Sequence, residues 1–364
     1  MEAYTFKIEM DCIYEKLVKP IFFKQDPEKI HELAIKAMHI IGSIAPLRAA
    51  MEKFNLVRDE KPTEIFGVEF PNKIGLAAGF DKEALAWRAA AAFGFGHLEI
   101  GTISMHKQSG NPKPRIFRYP EEAAIVNSCG FPNDGAEAIA ARLRKVCSKK
   151  TKKIPLGINI GKSKVTPLEE AAKDYIFSYN ALAEFADFFV INVSSPNTPE
   201  LRKLQGASYL PELLKAIKEA DSERAAKFGI PKIPILLKIA PDLSFREIDS
   251  ILEIVSELKI DGMVATNTTV TRPQNMDYMV KTGGLSGKPL FGKSLEIVSY
   301  ICKKTEGAIP VIGVGGIHDT ECAAKMLDAG ASLVQIYSSF IFNGPFFARE
   351  LAKSLAWRCG RDWV

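Results

Sequence analysis

The sequence has no Cys-x-x-Cys pair. Its six cysteines, Cys12, Cys129, Cys147, Cys302, Cys322 and Cys359, are scattered along the chain, which fits reduced thiols and excludes a zinc ribbon or a dense disulfide framework. Five histidines, His31, His39, His97, His106 and His318, show no metal-ligand spacing, so no metal site is expected. No stretch approaches the roughly 20 apolar residues that span a bilayer, and the N-terminus lacks the basic start and apolar centre of a signal peptide. Any membrane contact is therefore expected to be peripheral, on the cytoplasmic side. Charge of one sign is also missing: 48 basic against 43 acidic residues leave +5, too mild and too interspersed for a nucleic-acid surface. What remains is an ordinary globular composition, 47% hydrophobic and 25% charged over 364 residues, enough to bury a large core.

What is there begins with two amphipathic stretches. Ile13, Leu17, Val18, Ile21 and Phe22 recur at helical spacing, and Ile30, Leu33, Ala34, Met38 and Ile41 repeat the pattern after Asp26-Pro27. Asp26 suits an N-cap, Pro27 the first helical position and Gly42 the helix end. A shorter helical piece over 47–54 leads into the polar linker Arg58-Asp59-Glu60-Lys61-Pro62. Residues 1–61 thus read as a helical hairpin extension and 62–364 as the main domain. Two roles suit the hairpin: docking on that domain, or laying an apolar face on a membrane surface.

From Pro62 onward a short apolar run followed by a helical stretch repeats eight times. The runs at 74–78, 98–102, 156–160, 188–193, 235–239, 262–266, 310–314 and 333–337 are of the buried-strand type, and 82–93, 168–185, 245–258, 320–329 and 345–357 are helical. This alternation belongs to a parallel α/β sheet, either doubly wound or closed. A closed (β/α)8 TIM barrel is preferred, because the length suits about 250 residues plus insertions and because polar residues recur at strand carboxyl ends. One insertion, 114–119 with 123–126, reads as a hairpin over the rim, and 65–70 as a plug under the barrel floor.

The chemistry is best placed at Ile191-Asn192-Val193-Ser194-Ser195-Pro196-Asn197-Thr198-Pro199, where an apolar run ends in amides, hydroxyls and two prolines. Taken alone, Ser-Ser-Pro-Asn-Thr reads first as a capping and turn segment, and its surroundings reverse that reading. Thr102, Asn159, Asn192, Lys238 and Thr266 close strands two to six and would line one bowl. A lysine ending a buried strand needs an anionic partner, either a neighbouring carboxylate or a ligand. Gly313-Val314-Gly315-Gly316 and the 330–338 run occupy the standard phosphate region of such barrels; His318 in place of the third glycine excludes a dinucleotide fingerprint. Asn127, Asn192, Asn197 and Asn267 can donate to and accept from a flat ring with alternating N–H and C=O edges, although each alone also suits an Asx turn.

Ser-Ser-Pro-Asn-Thr at 194–198, Ala-Thr-Asn-Thr-Thr at 265–269, Gly-Gly-Leu-Ser-Gly at 283–287 and Gly-Val-Gly-Gly-Ile at 313–317 together resemble the motifs of dihydroorotate dehydrogenases. The resemblance spans nearly the whole chain. Ser195 resembles the base of the membrane-associated, quinone-reducing class, where soluble relatives using fumarate or NAD carry cysteine. The resemblance implies an FMN enzyme of pyrimidine synthesis that oxidises (S)-dihydroorotate to orotate, with Ser195 taking the C5 proton along a path through Thr198 and Phe131 and the C6 hydride passing to flavin. It implies flavin contacts at Ala78, Gly79, Lys82, Thr102, Asn159, Asn192, Lys238 and Thr266, and phosphate-side contacts at Gly287, Gly316, Tyr337 and Ser338. Orotate contacts fall to Lys82, Asn127, Gly130, Phe131, Asn192, Asn197, Asn267 and Thr268. The extension would form the mouth for ubiquinone or menaquinone at a peripheral membrane surface, and a monomer suffices.

The chain departs from the family pattern at Ser128, where arginine is common, at Pro132, at Glu200 in place of a usual glycine, and at Met105-His106-Lys107. These bear on loop geometry and affinity rather than on reaction class. Cys129 does not occupy the position of the soluble enzymes' base and reads as a loop-packing residue. A catalytically silent phosphate-binding barrel is the rival from another class.

Overall fold

The computed structural model describes residues 14–148, 151–206, 208–276, 279 and 281–359; Cys12 and Ile13 lie outside them. Its centre is a closed barrel of eight parallel strands: β3 (Ile74–Leu76), β4 (His97–Ile103), β7 (Leu156–Ile160), β8 (Phe188–Asn192), β9 (Ile235–Ile239), β10 (Gly262–Ala265), β12 (Val311–Val314) and β13 (Leu333–Ile336). The pleat explains why the runs are apolar throughout rather than alternating. Phe188, Val190, Leu236, Val264, Ile312 and Leu333 point inward and fill the barrel. Their neighbours Phe189, Ile191, Ile235, Leu237, Met263 and Val311 point outward into a second core under the helices. Closure, not a doubly wound sheet, is the outcome.

Below the barrel, β1 (Thr63–Ile65) and β2 (Val68–Phe70) form an antiparallel hairpin. Phe70 and Phe66 meet Phe188 at ring distances of 6.3 and 5.8 Å, so this hairpin is the floor plug that its apolar residues announced. At the opposite rim, β5 (Ile116–Tyr119) pairs antiparallel with β6 (Ala124–Asn127) as expected, but a third strand, β11 (Gly284–Gly287), adds to β6. Gly-Leu-Ser-Gly carries little strand propensity, and its pairing is set by a partner distant in sequence.

Two helical expectations need correction. Residues 82–86 are not helical; regular structure begins with the 3-10 helix Trp87–Phe93, because the buried Asp81 carboxylate takes the amides of Leu85, Ala86 and Trp87 in a tight turn. Gly42 does not end its helix. Asp26 caps it through the amides of Glu28 and Lys29, as expected, and the helix runs over Pro27–Ser43. Gly42 is buried where an added Cβ would stand 3.0 Å from Arg88 Cβ, so glycine here permits close approach to Trp87–Phe93. The first hairpin helix is a π turn at Tyr14–Val18 followed by one α turn at Lys19–Phe22, and a further helix, Ala45–Asn55, follows across a 100° bend.

The extension is tied to the barrel by polar contacts as well as packing. Asn55 donates to the Ala92 carbonyl at 2.8 Å, and Arg115 pairs with Glu28 at 2.7 Å with both side chains largely buried. Arg118 donates to the carbonyls of Phe22 and Gln25. Large apolar side chains of the extension nonetheless stand open: Leu17 is 60%, Ile21 61% and Phe54 72% exposed. No single described helix is long and apolar enough to cross a membrane.

Candidate active site

A single cavity of about 550 Å³ runs from the extension helices to the carboxyl ends of the barrel strands. Its outer half is apolar, lined by Val18, Phe22, Ile30, Ala34 and Met38 of the extension with Phe340 and Phe342 of the barrel. Its inner half gathers the residues singled out in the sequence: Ala78, Gly79, Lys82, Thr102, Asn127, Gly130, Phe131, Asn192, Ser195, Asn197, Lys238, Thr266, Asn267 and Thr268, with Gly287, Gly316, Tyr337 and Ser338 on its glycine-rich wall. Asn159 and Thr198 are not on the lining; both are buried just behind it.

The bowl's floor is a chain of buried polar groups. Register places Asn192 beside Lys238, and Asn192 donates to Thr102 Oγ1 at 2.9 Å and to Asn159 Oδ1 at 3.1 Å. Asn159 in turn donates to Glu99 at 2.6 Å, and Lys238 Nζ lies 3.1 Å from the same carboxylate oxygen. Lys238 therefore does have a protein counter-charge while still facing the cavity. Glu99 was missed in the sequence, yet the reasoning that singled out Lys238 applies equally to an acid inside Leu98-Glu99-Ile100: two opposite charges in buried strands of one barrel imply each other.

Ser195 sits on the loop after β8, 5% exposed, with its Oγ accepting the Asn197 amide at 3.2 Å. Among the described residues no carboxylate or imidazole hydrogen-bonds that oxygen. Thr198 Oγ1, three residues on, is buried without a hydrogen-bond partner. Asn197 donates to the Asn127 carbonyl and side chain at 3.0 and 3.1 Å, and Asn267 donates to Ser194 Oγ at 2.9 Å. The four asparagines thus hold one another in place around the bowl and keep further lone pairs and N–H groups for a ring.

On the opposite wall, Gly316 adopts φ 72° where an added Cβ would collide with the Phe291 backbone, so only glycine keeps this turn against the cavity. Ser286 and Ser338 hydroxyls meet at 3.0 Å. Gln335 lines the cavity, 1% exposed, with neither its amide nitrogen nor its oxygen hydrogen-bonded to protein. Toward the mouth, burial and the Lys82 charge hold His31, which lines the cavity, down to about 3, a neutral imidazole packed edge-on to Phe80. Cys129 lines the cavity too, and burial pushes its thiol up. His318, Asp319 and Cys322 lie together. The sulfur is nearly equidistant from the two ring nitrogens, 3.5 and 3.7 Å, a ring contact rather than a shared coordination direction, and Asp319 caps the helix Thr320–Asp328.

A dihydroorotate dehydrogenase profile matches residues 61–358. The chain belongs to the dihydroorotate dehydrogenase family. It is 43% identical to a protein of Christiangramia forsetii named dihydroorotate dehydrogenase (quinone), over 94% of this chain and 98% of that one. A protein of Acidithiobacillus ferrooxidans with the same name is also 43% identical, over 93% of each chain. Among solved structures, the DHODH of Eimeria tenella in complex with ferulenol superposes with a TM-score of 0.79 at 35% identity, covering 91% of this chain and 90% of that one.

Proposed function

We propose that the protein oxidises (S)-dihydroorotate to orotate in pyrimidine synthesis, with FMN as its resident cofactor and a quinone as the final acceptor. The observation that carries this reading is the continuity of one cavity from an amide-lined bowl to an apolar mouth. A polar flat ring suits the first and an isoprenoid quinone the second.

The residues present fit FMN. Gln335 offers an unpaired buried amide, Lys238 a cation fixed by Glu99, and the Gly287 and Gly316 turns with Ser338 offer backbone amides and a hydroxyl to a phosphate. Ala78, Gly79, Thr102, Asn192 and Thr266 would flank its ring system, with Asn159 supporting from behind. When bound, FMN supplies the acceptor for the substrate's C6 hydride and hands the electrons on to quinone. Asn127, Asn197, Asn267 and Thr268, with Lys82 and Gly130, orient the substrate ring. Ser195 Oγ removes the C5 proton; Asn197 holds it by donating to it, and Thr198, whose hydroxyl has no protein partner, offers the next stop beside Phe131. Residues 1–61 supply the quinone mouth, and the exposed apolar face of Leu17, Ile21 and Phe54 lies on the membrane surface as a peripheral contact.

The purified protein is expected to carry FMN, to bleach anaerobically on adding dihydroorotate and to recolour on adding quinone. A different chromophore, or one that dihydroorotate does not reduce, overturns the reading.

A further inference from the structure

We infer that Arg202 is a positioning residue for proton removal, a keystone that locks the loop carrying Ser195 to the loop carrying the ring-binding residues Asn267 and Thr268. The inference rests on the reading of the site given above.

Arg202 lies in the 3-10 turn Leu201–Gln205, seven residues beyond Ser195 and off the cavity lining. Its guanidinium reaches three rim segments at once. Nε donates to the Ser194 carbonyl at 3.0 Å, one arm donates to Asp242 Oδ2 at 2.9 Å, and the other donates to the Thr268 carbonyl at 3.1 Å. Ser194 precedes Ser195 directly, and Thr268 lies on the cavity wall. The next residues strengthen the joint, because Gln205 accepts the Ala240 amide at the end of β9 at 2.9 Å. One short turn therefore bridges the loops after β8, β9 and β10.

Asp242 is built as the anchor of this joint. It accepts from Thr269 Oγ1, from the Val270 amide at 3.1 Å and from Lys293 at 2.9 Å, in addition to Arg202. Burial works against its charge, but these donors prevail and hold it down to about 2, so it stays anionic. The planar fork of arginine can meet two carbonyls and a carboxylate in fixed directions, which the single ammonium of lysine cannot. What the joint controls is the distance between an oxygen that takes a proton and amides that hold the substrate. Misplacement of about 1 Å in such an arrangement costs on the order of 10²-fold in rate.

The test uses the flavin-loaded full chain and the variants Arg202→Ala, Arg202→Lys and Asp242→Asn. In anaerobic stopped-flow at saturating dihydroorotate, Arg202→Ala is expected to slow flavin reduction by about 10²-fold. Deuterium at C5 should produce a larger isotope effect than in the unmodified protein, because proton removal becomes the slower event. Reoxidation by quinone should be unchanged, and added ethylguanidinium should restore part of the reduction rate. Arg202→Lys should remain slow, and Asp242→Asn should lie between it and the unmodified protein. If Arg202→Ala does not retain flavin, the lysine and asparagine variants carry the test. Normal reduction with an unaltered C5 isotope effect in variants that hold flavin overturns the role of Arg202. Failure of the unmodified protein to be reduced at all overturns the functional reading instead.

Discussion

The two halves of the cavity are built by opposite means. The inner half is held by hydrogen bonds between buried polar groups, from Glu99 through Asn159 and Asn192 to Thr102, and from Asn127 through Asn197 to the Ser195 loop. The outer half is held by side-chain packing of short helices, with Val18, Phe22, Ile30, Ala34 and Met38 facing Phe340 and Phe342. A network of directional bonds fixes positions to fractions of an ångström, which proton and hydride transfer require. An apolar wall of adaptable side chains accepts a long hydrocarbon without specifying its every atom. On the proposed reading, one enclosure separates a step that needs precise geometry from one that needs access.

The comparison breaks most sharply at Ser195. Ser195→Ala should keep flavin and its outer half intact yet slow flavin reduction roughly 10²–10⁴-fold, the usual contribution of a positioned base. Near-normal reduction in anaerobic stopped-flow would assign the base elsewhere. Lys238→Met should come next, slowing reduction by about 10²-fold through loss of a stabilising donor. It also strands Glu99, a cost of ~3–5 kcal/mol for breaking a buried pair. Adding Glu99→Gln should restore the melting temperature without restoring the rate; recovery of both would make the lysine only half of a structural pair.

On the outer side, Ala34→Trp should narrow the mouth and slow reoxidation by long-tailed quinone, while costing no more than the ~1–3 kcal/mol of stability typical of overpacking. The smallest effect is expected at Glu200, which adopts φ 59° and is steadied by Lys203 at 2.5 Å. Glycine takes that backbone freely but gains entropy in the unfolded chain. Glu200→Gly should therefore leave the melting temperature in thermal unfolding close to that of the unmodified protein, and both half-reactions alone.

The barrel was legible because eight apolar runs alternate with helical ones, and the bowl because strand-end polar residues share one rim by construction. The residues that stayed hidden act at long range or through backbone groups. β11 was invisible because Gly-Leu-Ser-Gly becomes a strand only beside Ala124–Asn127. Nothing in the sequence singles out Arg202, because its partners are two carbonyls and an aspartate 40 positions away. The turn at 82–86 was misread as helix because small, helix-favouring residues follow Lys82, whereas the Asp81 carboxylate dictates the backbone.

The central claim, that one cavity keeps its two chemistries apart, is tested most directly by double-mixing stopped-flow on Ser195→Ala and Ala34→Trp side by side. Flavin is first reduced anaerobically by dihydroorotate, and the reduced protein is then mixed with long-tailed quinone. The account predicts a crossed pattern: Ser195→Ala slow in the first mixing and normal in the second, Ala34→Trp normal in the first and slow in the second. If the mouth variant slows reduction as much as reoxidation, or the serine variant slows both, the halves are not separate and the account fails.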